Sequence, residues 1–432
     1  MMSWDRRIVI LFVSLLLFGG FICAAGGYNI ALHAQLFPGD GKVVGSVLTT
    51  DGLRSAFALR YDVDRVDVFY PSNYKGFLDH EWDLILVEGW FPTIETFVLI
   101  ARSNFPLSRI VFLCLDPVYP GLDIVKKFDV DAIISNSKVL VEEFRHDFPT
   151  DFMLLAANPD EMKPLTNVSR VWGAVYVGAG GQMLQFKPEL RQLLIDSIPF
   201  GLRLHGSSWE SATAGPLLGD IAQGSLPRYD LASAYASAHA VLASTIQSQA
   251  AFDMINNRIF EALSCGAVVI THAHLSSALE SLHCDAILFV NETHSVAHHL
   301  AALTTKLDGN VQEGGGRDCG VQAQVDSDAA HTDAGTAAST GTGTRASRTS
   351  VCPRMPTTFG SSSYADNLRH VARNFILRSH TWSHRAVQIL DFYHSLVNAN
   401  PASSHPSLLS STTTTTTTIP TTTSSSSSNS SR

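Results

Sequence analysis

Short apolar runs alternate with helical segments along most of this chain, and this alternation constrains the fold more than any other feature. In the first half, apolar runs at residues 84–88 and 109–115 flank a segment with helical spacing at residues 94–103. Strands that alternate with helices of about 10 to 15 residues form right-handed βαβ units, which build a parallel sheet. The pattern therefore predicts an α/β protein.

The alternation occurs twice, which predicts two α/β domains, each a doubly wound parallel sheet. We place the amino-terminal domain at residues 28–165 and the carboxyl-terminal domain at residues 166–307. Residues 308–358 and the Ser/Thr-rich residues 399–432 have few aromatic side chains and are predicted to be a disordered insertion and tail. Between them, residues 359–398 are predicted to form a closing helix that packs back across the domains.

The most informative motif is the signature run, residues 256–271, which reads as a helix followed directly by a buried strand. Good helix formers lead to Gly266, at a position where helices commonly end in the left-handed conformation. Arg258 and Glu261 are three residues apart, so both can project toward the same end of the sheet. An arginine and a carboxylate at the carboxyl end of a parallel sheet suit a ligand that carries phosphates and sugar hydroxyls.

A glycine-rich loop, Gly178-Ala179-Gly180-Gly181, follows the predicted strand at residues 174–177. Glycine lets backbone N–H groups approach an anion, and the helix predicted at residues 187–198 would present its positive end to the same place. Lys187 and Arg191 are the candidate cations beside this loop. A flexible connection is the alternative interpretation of the glycines.

The sequence RIFEALSCGA at residues 258–267 resembles the signature of GT-B glycosyltransferases, and more narrowly of the CgeB/YkvP spore-protein type. The sequence HTWSHRA at residues 380–386 is similar to the closing motif of the same type. The resemblance implies two Rossmann-like domains, a nucleotide-sugar donor in the cleft, and transfer of its sugar to an acceptor. The acceptor is a glycan, a protein or a lipid, and the resemblance does not say which.

The same resemblance implies roles for individual residues. Glu261 corresponds to the glutamate that binds the ribose hydroxyls of the donor, and Arg258 together with Lys187 or Arg191 would hold the diphosphate. Asp253 stands eight positions before Glu261, where many relatives carry a second acidic residue. The candidate substrate-binding residues are Gly178, Lys187, Asp253, Asn257, Arg258 and Glu261.

In the first half, polar side chains stand where the predicted strands end, which is the edge at which parallel sheets bind ligands. These residues are His33, Asp40, Glu88 and Asp116. We take His33 and Asp116 as the candidate catalytic residues on the acceptor side. A role in a turn or a helix cap is the alternative for each.

Several other functions are disfavoured by charge and spacing. The net charge of −9, without a basic cluster, argues against nucleic-acid binding. The sequence DVD at residues 62–64 and 129–131 has the spacing of a metal-binding motif but precedes predicted strands instead of following them. His294 and His298 lack a carboxylate at zinc-site spacing. We therefore predict no metal and no cofactor, with the nucleotide sugar as a substrate.

The amino terminus, residues 1–27, is predicted to be a signal anchor or a cleaved signal peptide. Arg6 and Arg7 precede an uncharged apolar run at residues 8–25, whose length lies between those of a secretory leader and a membrane span. Either interpretation places the chain in the secretory pathway. It would be a single-pass type II protein of the endoplasmic reticulum or Golgi membrane, or a secreted protein.

Two other functions fit part of the pattern. A GT-B protein that has lost transfer activity would still bind a nucleotide or sugar, and the lack of an arginine directly after Gly178 agrees with this. The shorter acid Asp253 in place of a glutamate agrees with it as well. A two-lobed solute-binding protein would share the alternation and the leader, but it would not account for the signature run.

Overall fold

The computed structural model describes residues 27–34, 45–71, 74–88, 93–115, 125–180, 184, 187–210, 215–272, 277–291, 293–304 and 364–399. The predicted leader up to residue 26, the insertion at residues 308–358 and the tail from residue 400 lie outside these ranges. None of the helices inside the ranges is long and apolar enough to cross a membrane.

The first sheet is built from β1 (Tyr28–His33), β2 (Val63–Phe69), β3 (Leu84–Val87), β4 (Arg109–Cys114), β5 (Ala132–Ser135) and β6 (Thr150–Phe152). Its connections include α1 (Gly45–Ala58), α2 (Thr93–Asn104) and α3 (Lys138–Phe144). The strands are all parallel, in the order β2-β1-β3-β4-β5-β6. Strands β3 and β5 are buried at every residue because helices cover both faces of the sheet, which explains their uninterrupted apolar sequences.

The second sheet is built from β7 (Trp172–Val177), β8 (Leu202–His205), β9 (Ala238–Leu242), β10 (Val268–His272) and β11 (Ile287–Val290). Its helices are α4 (Pro188–Ser197), α5 (Pro216–Ile221), α6 (Leu231–Ala236), α7 (Gln247–Ala251), α8 (Asn257–Ser264), α9 (Ser277–Ser281) and α10 (Val296–Thr304). The parallel strands follow the order β11-β10-β9-β7-β8. The strand order therefore reverses between β7 and β9, which is where sheets of this kind bind ligands.

The predicted closing helix is two helices, α11 (Tyr364–Ser379) and α12 (Trp382–Ala399). Between them, the carbonyl of His380 accepts a hydrogen bond from the backbone N–H of Ala157 (3.1 Å), and the N–H of Trp382 donates to the carbonyl of Ala157 (3.3 Å). Helix α11 packs on α8 of the second domain, whereas α12 packs on α1 of the first. The segment therefore contacts both domains.

The two domains share a hydrophobic core. Its largest buried cluster contains Leu53 of α1, Phe260 of α8 and Trp382 of α12, together with side chains from both sheets. A second contact is made by the loop before α8, where Met254 packs in the core of the first domain and the carbonyl of Phe252 accepts a hydrogen bond from Ser137. These contacts hold the carboxyl ends of the two sheets close to each other.

Candidate active site

The signature run folds as predicted, into a helix that ends at a left-handed glycine and leads into a buried strand. Helix α8 begins after Asn256, whose side chain accepts a hydrogen bond from the backbone N–H of Arg258 (2.9 Å). Gly266, just past the end of the helix, has φ +67°. The side chains of this helix that are buried include Ile259, Phe260 and Leu263. This packing leaves Arg258 in the first turn of the helix and Glu261 in the second turn, near the carboxyl end of the sheet.

Arg258 is held by two tyrosines. Its guanidinium carbon lies over the ring of Tyr176 in β7, 5.3 Å from the ring centroid. Tyr235 in α6 is buried beside the same guanidinium, close enough to favour its charged form. The Nη1 atom of Arg258 is shielded from solvent and has no hydrogen-bond partner in the described part of the chain. A buried donor of this kind is rarely left unpaired, so its position favours a ligand.

Lys187 is the second cation of the site. It stands at the amino-terminal cap of α4 and is buried, with its Nζ 3.4 Å from the carbonyl oxygen of Ser244. The Tyr176 hydroxyl lies close enough to this ammonium group to favour its charged form, which raises the pKa of Lys187. Burial and the nearby charge of Arg258 lower the pKa of Lys187. Of the two cations proposed from sequence, the structure brings Lys187 to Arg258, whereas the Arg191 side chain is exposed.

The glycine-rich loop lies directly on two aromatic rings. A Cβ atom added at Gly178 would lie 2.8 Å from the hydroxyl oxygen of Tyr176, and one at Gly180 would lie 2.6 Å from the ring of Trp209. The Trp209 indole N–H donates to the carbonyl of Gly178 (3.1 Å). Glycine is therefore required here by close approach, which a merely flexible connection would not need.

Glu261 completes this group. Its side chain is only 5% exposed in relative terms, and its Oε1 accepts a hydrogen bond from the Asn257 amide (3.0 Å). Burial raises the pKa of Glu261 to about 7, although the positive charges of Arg258 and Arg228 oppose the shift. A carboxylate this poorly solvated binds hydroxyl donors strongly, because little water must be displaced from it.

A cleft of about 530 Å³ lies between the two domains, and its described lining does not include Lys187, Arg258 or Glu261. Arg228 joins its walls: it donates to Asp51 on α1 of the first domain and to both carboxylate oxygens of Glu161 (2.9 and 3.2 Å). The cleft lining includes Asp51, Arg54, Glu161, Arg228 and Tyr229. The charges of Arg228 and Glu161 act on the Glu261 carboxyl group, so the cleft lies close to the candidate site.

Asp253 is placed differently from the other candidates. Its backbone is left-handed, with φ +56°, and its carboxylate accepts hydrogen bonds from the Ala278 N–H and the Ser277 hydroxyl, both at 2.8 Å. These bonds cap the start of α9. A role of Asp253 toward a donor stays a prediction.

His33, at the end of β1, is enclosed in the first domain. Its ring stacks on Phe97 at 4.3 Å, with Nδ1 2.9 Å from the carbonyl of Glu88 and Nε2 3.3 Å from the Tyr74 hydroxyl. Burial lowers the pKa of His33 to about 4. All of these partners belong to the first domain, so these contacts do not join His33 to the cations. Asp116 lies outside the described residues, and both catalytic assignments stay predictions.

No group of three or more His, Cys, Asp or Glu side chains in the described ranges has the geometry to hold a metal ion. The rings of His294 and His298 are 5.1 Å apart, and His299 lies next to them, but His294 precedes α10, so the first two do not share a helix as their spacing predicted.

Two residues that sequence reasoning missed are central to the site: Tyr176 and Tyr235. Both are buried among apolar neighbours, where the sequence shows only ordinary core positions. The only available signal was the hydroxyl, since a buried tyrosine usually has a partner for it.

Residues 188–320 match a family model described as glycosyl transferase-like. The match begins at α4, includes the signature run and covers less than half of the chain. Comparison with curated proteins gives no match.

Among solved structures, AviGT4, a glycosyltransferase involved in avilamycin A biosynthesis, superposes with a TM-score of 0.50 at 14% identity, over 86% of this chain and 98% of its own. The T4 phage β-glucosyltransferase gives 0.46 at 10% identity, over 86% and 99%. HepE from Anabaena, solved with UDP and glucose, gives 0.42 at 14% identity, over 65% and 90%. We draw nothing from the last two, since their TM-scores are below 0.5. The chain thus has the two-domain fold of GT-B glycosyltransferases, and its second domain is similar to a glycosyltransferase-like family; the narrower CgeB/YkvP type stays a prediction.

Proposed function

We propose that this protein is a glycosyltransferase that uses a nucleotide-sugar donor. The observation that carries the proposal is the meeting of Arg258, Lys187 and Glu261 at the point where the strand order of the second sheet reverses. Two cations and a carboxylate in one site fit the two ends of such a donor, its diphosphate and its ribose. The match of residues 188–320 to a glycosyl transferase-like family supports the same conclusion.

In the proposed reaction, the bond between the anomeric carbon and the diphosphate oxygen breaks, and a bond to an acceptor hydroxyl oxygen forms. The acceptor hydroxyl gives up its proton to a base. Negative charge develops on the departing diphosphate, and Arg258, Lys187 and the positive end of α4 stabilise it without a metal ion. Loss of one such electrostatic donor typically costs about 10²- to 10³-fold in rate.

The remaining candidates take supporting roles in this proposal. Glu261 accepts hydrogen bonds from the ribose hydroxyls, and Asn257 holds its carboxylate in place through their 3.0 Å hydrogen bond. The backbone at Gly178 approaches the diphosphate. His33 or Asp116 is the acceptor-side base in this scheme. The acceptor itself is a glycan, a protein or a lipid.

The test is a panel of UDP-, GDP- and ADP-sugars, read by nucleotide release and by calorimetric titration, with Glu261→Gln as the variant. The substitution keeps the size and the Asn257 contact but removes the charge. Charge-assisted hydrogen bonds contribute about 1.5 to 3 kcal/mol, so donor affinity should fall by roughly one to two orders of magnitude.

The matched control is Glu280→Gln, an exposed acid in α9 of the same domain, which should leave affinity unchanged. Equal affinity of wild type and Glu261→Gln for a donor that the wild type binds would remove Glu261 from the site. If no member of the panel binds the wild type, the proposed function is wrong.

One observation favours a second candidate, a GT-B protein that binds a nucleotide or sugar without transferring it. The Asp253 carboxylate is used to cap α9, so the second acidic position of the resembling family is already engaged. Binding without nucleotide release across the panel would favour this candidate over the enzyme.

A further inference from the structure

One side chain, Tyr176, acts on both cations of the site: its ring lies under the Arg258 guanidinium, and its hydroxyl raises the pKa of Lys187. We propose that Tyr176 is the positioning residue for the donor diphosphate: its ring holds the Arg258 guanidinium and its hydroxyl group holds the Lys187 ammonium. This inference rests on the proposed function, because it needs a diphosphate between the two cations.

The contact between the ring and Arg258 positions a charge without using its donors. The guanidinium carbon lies 5.3 Å from the Tyr176 ring centroid, within the range of a cation–π interaction. Stacking engages the face of the planar guanidinium and leaves the N–H groups at its edge available. A carboxylate partner would instead occupy those N–H groups. This explains why Nη1 is buried yet without a hydrogen-bond partner among the described residues.

The contact between the hydroxyl and Lys187 has the same property. The ammonium nitrogen lies 3.4 Å from the Ser244 carbonyl oxygen, and the nearby Tyr176 hydroxyl raises the pKa of Lys187; both of these groups are neutral. An ammonium group has three N–H donors, so at least one is left for a ligand. The Ser244 hydroxyl beside it is also buried without a described partner.

The pair therefore carries charge that these contacts do not neutralise. Arg258 acts on Lys187 as a repelling charge, and burial removes much of the water that would screen the two. Glu261 lies one turn away and attracts Arg258, but its hydrogen bond comes from Asn257. A diphosphate, with oxygens on two linked phosphates, could pair with both cations at once and neutralise their charge.

Tyr176 is well suited to hold this position. It is fully buried in β7, and the Trp209 ring packs edge-on against it at 5.8 Å. Gly178 closes over its hydroxyl at a distance that admits no side chain. The ring is therefore fixed from three directions before any ligand binds.

The experiment compares Tyr176→Phe with wild type by calorimetric titration of UDP, GDP and ADP, and of the corresponding nucleosides. Phenylalanine keeps the platform under Arg258 and removes only the hydroxyl that holds Lys187. We expect the affinity for the diphosphate that binds wild type best to fall about tenfold. Its nucleoside, which lacks phosphates, should bind within about twofold of wild type. Tyr393→Phe, at another buried tyrosine in α12, is the control and should change neither.

The pH profile gives a second readout. Diphosphate affinity should fall at alkaline pH as Lys187 loses its proton. The groups that act on Lys187 are Tyr176, which raises its pKa, and Arg258 and burial, which lower it. Removing the hydroxyl should lower the Lys187 pKa further, so the alkaline loss of affinity should begin at lower pH in Tyr176→Phe than in wild type or Tyr393→Phe.

Three results would overturn the inference. One is that Tyr176→Phe binds the diphosphate as tightly as wild type does. Another is that its loss of diphosphate affinity at alkaline pH begins at the same pH as in wild type. The third is an equal loss for the diphosphate and its nucleoside together with a lowered melting temperature, because that marks a structural role only. Failure of the wild type to bind any of the nucleoside diphosphates would instead overturn the proposed function on which the inference rests.

Discussion

A buried carboxyl group such as that of Glu261 makes folding depend on pH. Its pKa is raised to about 7 by burial, from 4.5 in the unfolded chain. The folded state therefore holds the proton more tightly, so stability falls as pH rises from about 4.5 to 7 and stays lower above this range. At about 1.4 kcal/mol per pKa unit, the penalty above pH 7 is about 3 kcal/mol.

We predict that Glu261→Gln, which cannot ionise, is more stable than wild type at pH 8 by up to about 3 kcal/mol and equally stable at pH 4. Urea denaturation at the two pH values measures the difference, with Glu280→Gln as the exposed control. A constant difference between Glu261→Gln and wild type across pH would show that burial does not govern this carboxyl group. If Glu261→Gln is more stable but binds the donor less tightly, Glu261 destabilises the fold in order to bind, as residues of binding sites commonly do.

At this scale the sequence allowed only part of the site to be predicted. Arg258 and Glu261 could be predicted because their spacing of three residues places them on one face of a helix. Lys187 was one of two candidates, since spacing alone does not tell which of Lys187 and Arg191 turns inward. The role of Tyr176 could not be predicted from the sequence, because it depends on β7 and α8 lying next to each other. That adjacency follows from the order of the strands in the sheet.

Among the elements, the end of helix α8 depends on one residue. Gly266 has φ +67°, and the nearest atoms to an added Cβ are at 3.4 Å or more, so conformation and not space restricts this position. For an L-residue the left-handed conformation costs roughly 1 to 2 kcal/mol. We predict that Gly266→Ala lowers the free energy of unfolding by that amount, measured in urea.

The control is Gly76→Ala, in the 3₁₀ helix Lys75–Asp79. An added Cβ there would lie 3.8 Å from the nearest atom, in the Phe69 ring, and φ is not positive. The free energy of unfolding of this variant should stay within about 0.5 kcal/mol of wild type. Equal effects at the two positions would contradict this account.

The elements that the sequence predicted are those with long or strongly apolar patterns. The strands predicted at residues 84–88 and 109–115 are observed at Leu84–Val87 and Arg109–Cys114, because they are short buried runs with clear ends. The missed elements, β6, α5 and α7, have between three and six residues, too few for a period to show. The closing segment was read as one helix because its apolar period continues through His380 and Thr381. The break there comes from hydrogen bonds to Ala157, which the sequence does not reveal.

At the scale of the whole molecule, the contact between α1 and α12 attaches the closing segment to the first domain. Gly52 lies in the middle of α1, and a Cβ there would be 2.2 Å from the Trp382 ring. Glycine to alanine in a helix normally stabilises by about 1 kcal/mol, but overpacking against a buried ring costs about 1 to 3 kcal/mol. We predict that Gly52→Ala destabilises wild type and becomes neutral or stabilising in a Trp382→Ala background. A double-mutant cycle measures this reversal of sign. The same effect in both backgrounds would mean that the two helices do not meet as described.

The bonded pair of Ala157 with His380 and Trp382 has a mechanical consequence. The chain crosses from the first domain to the second near Ala157 and returns at His380, and the two crossings are tied to each other by backbone hydrogen bonds. Two separate crossings would let one domain slide or twist over the other. When the two crossings are joined at one point, the domain movement that meets least resistance is a hinge rotation about that point. If the cleft opens to admit a donor, the distance between Arg228 and Asp51, on its opposite walls, should therefore increase. The distance from Ala157 to His380 should change far less.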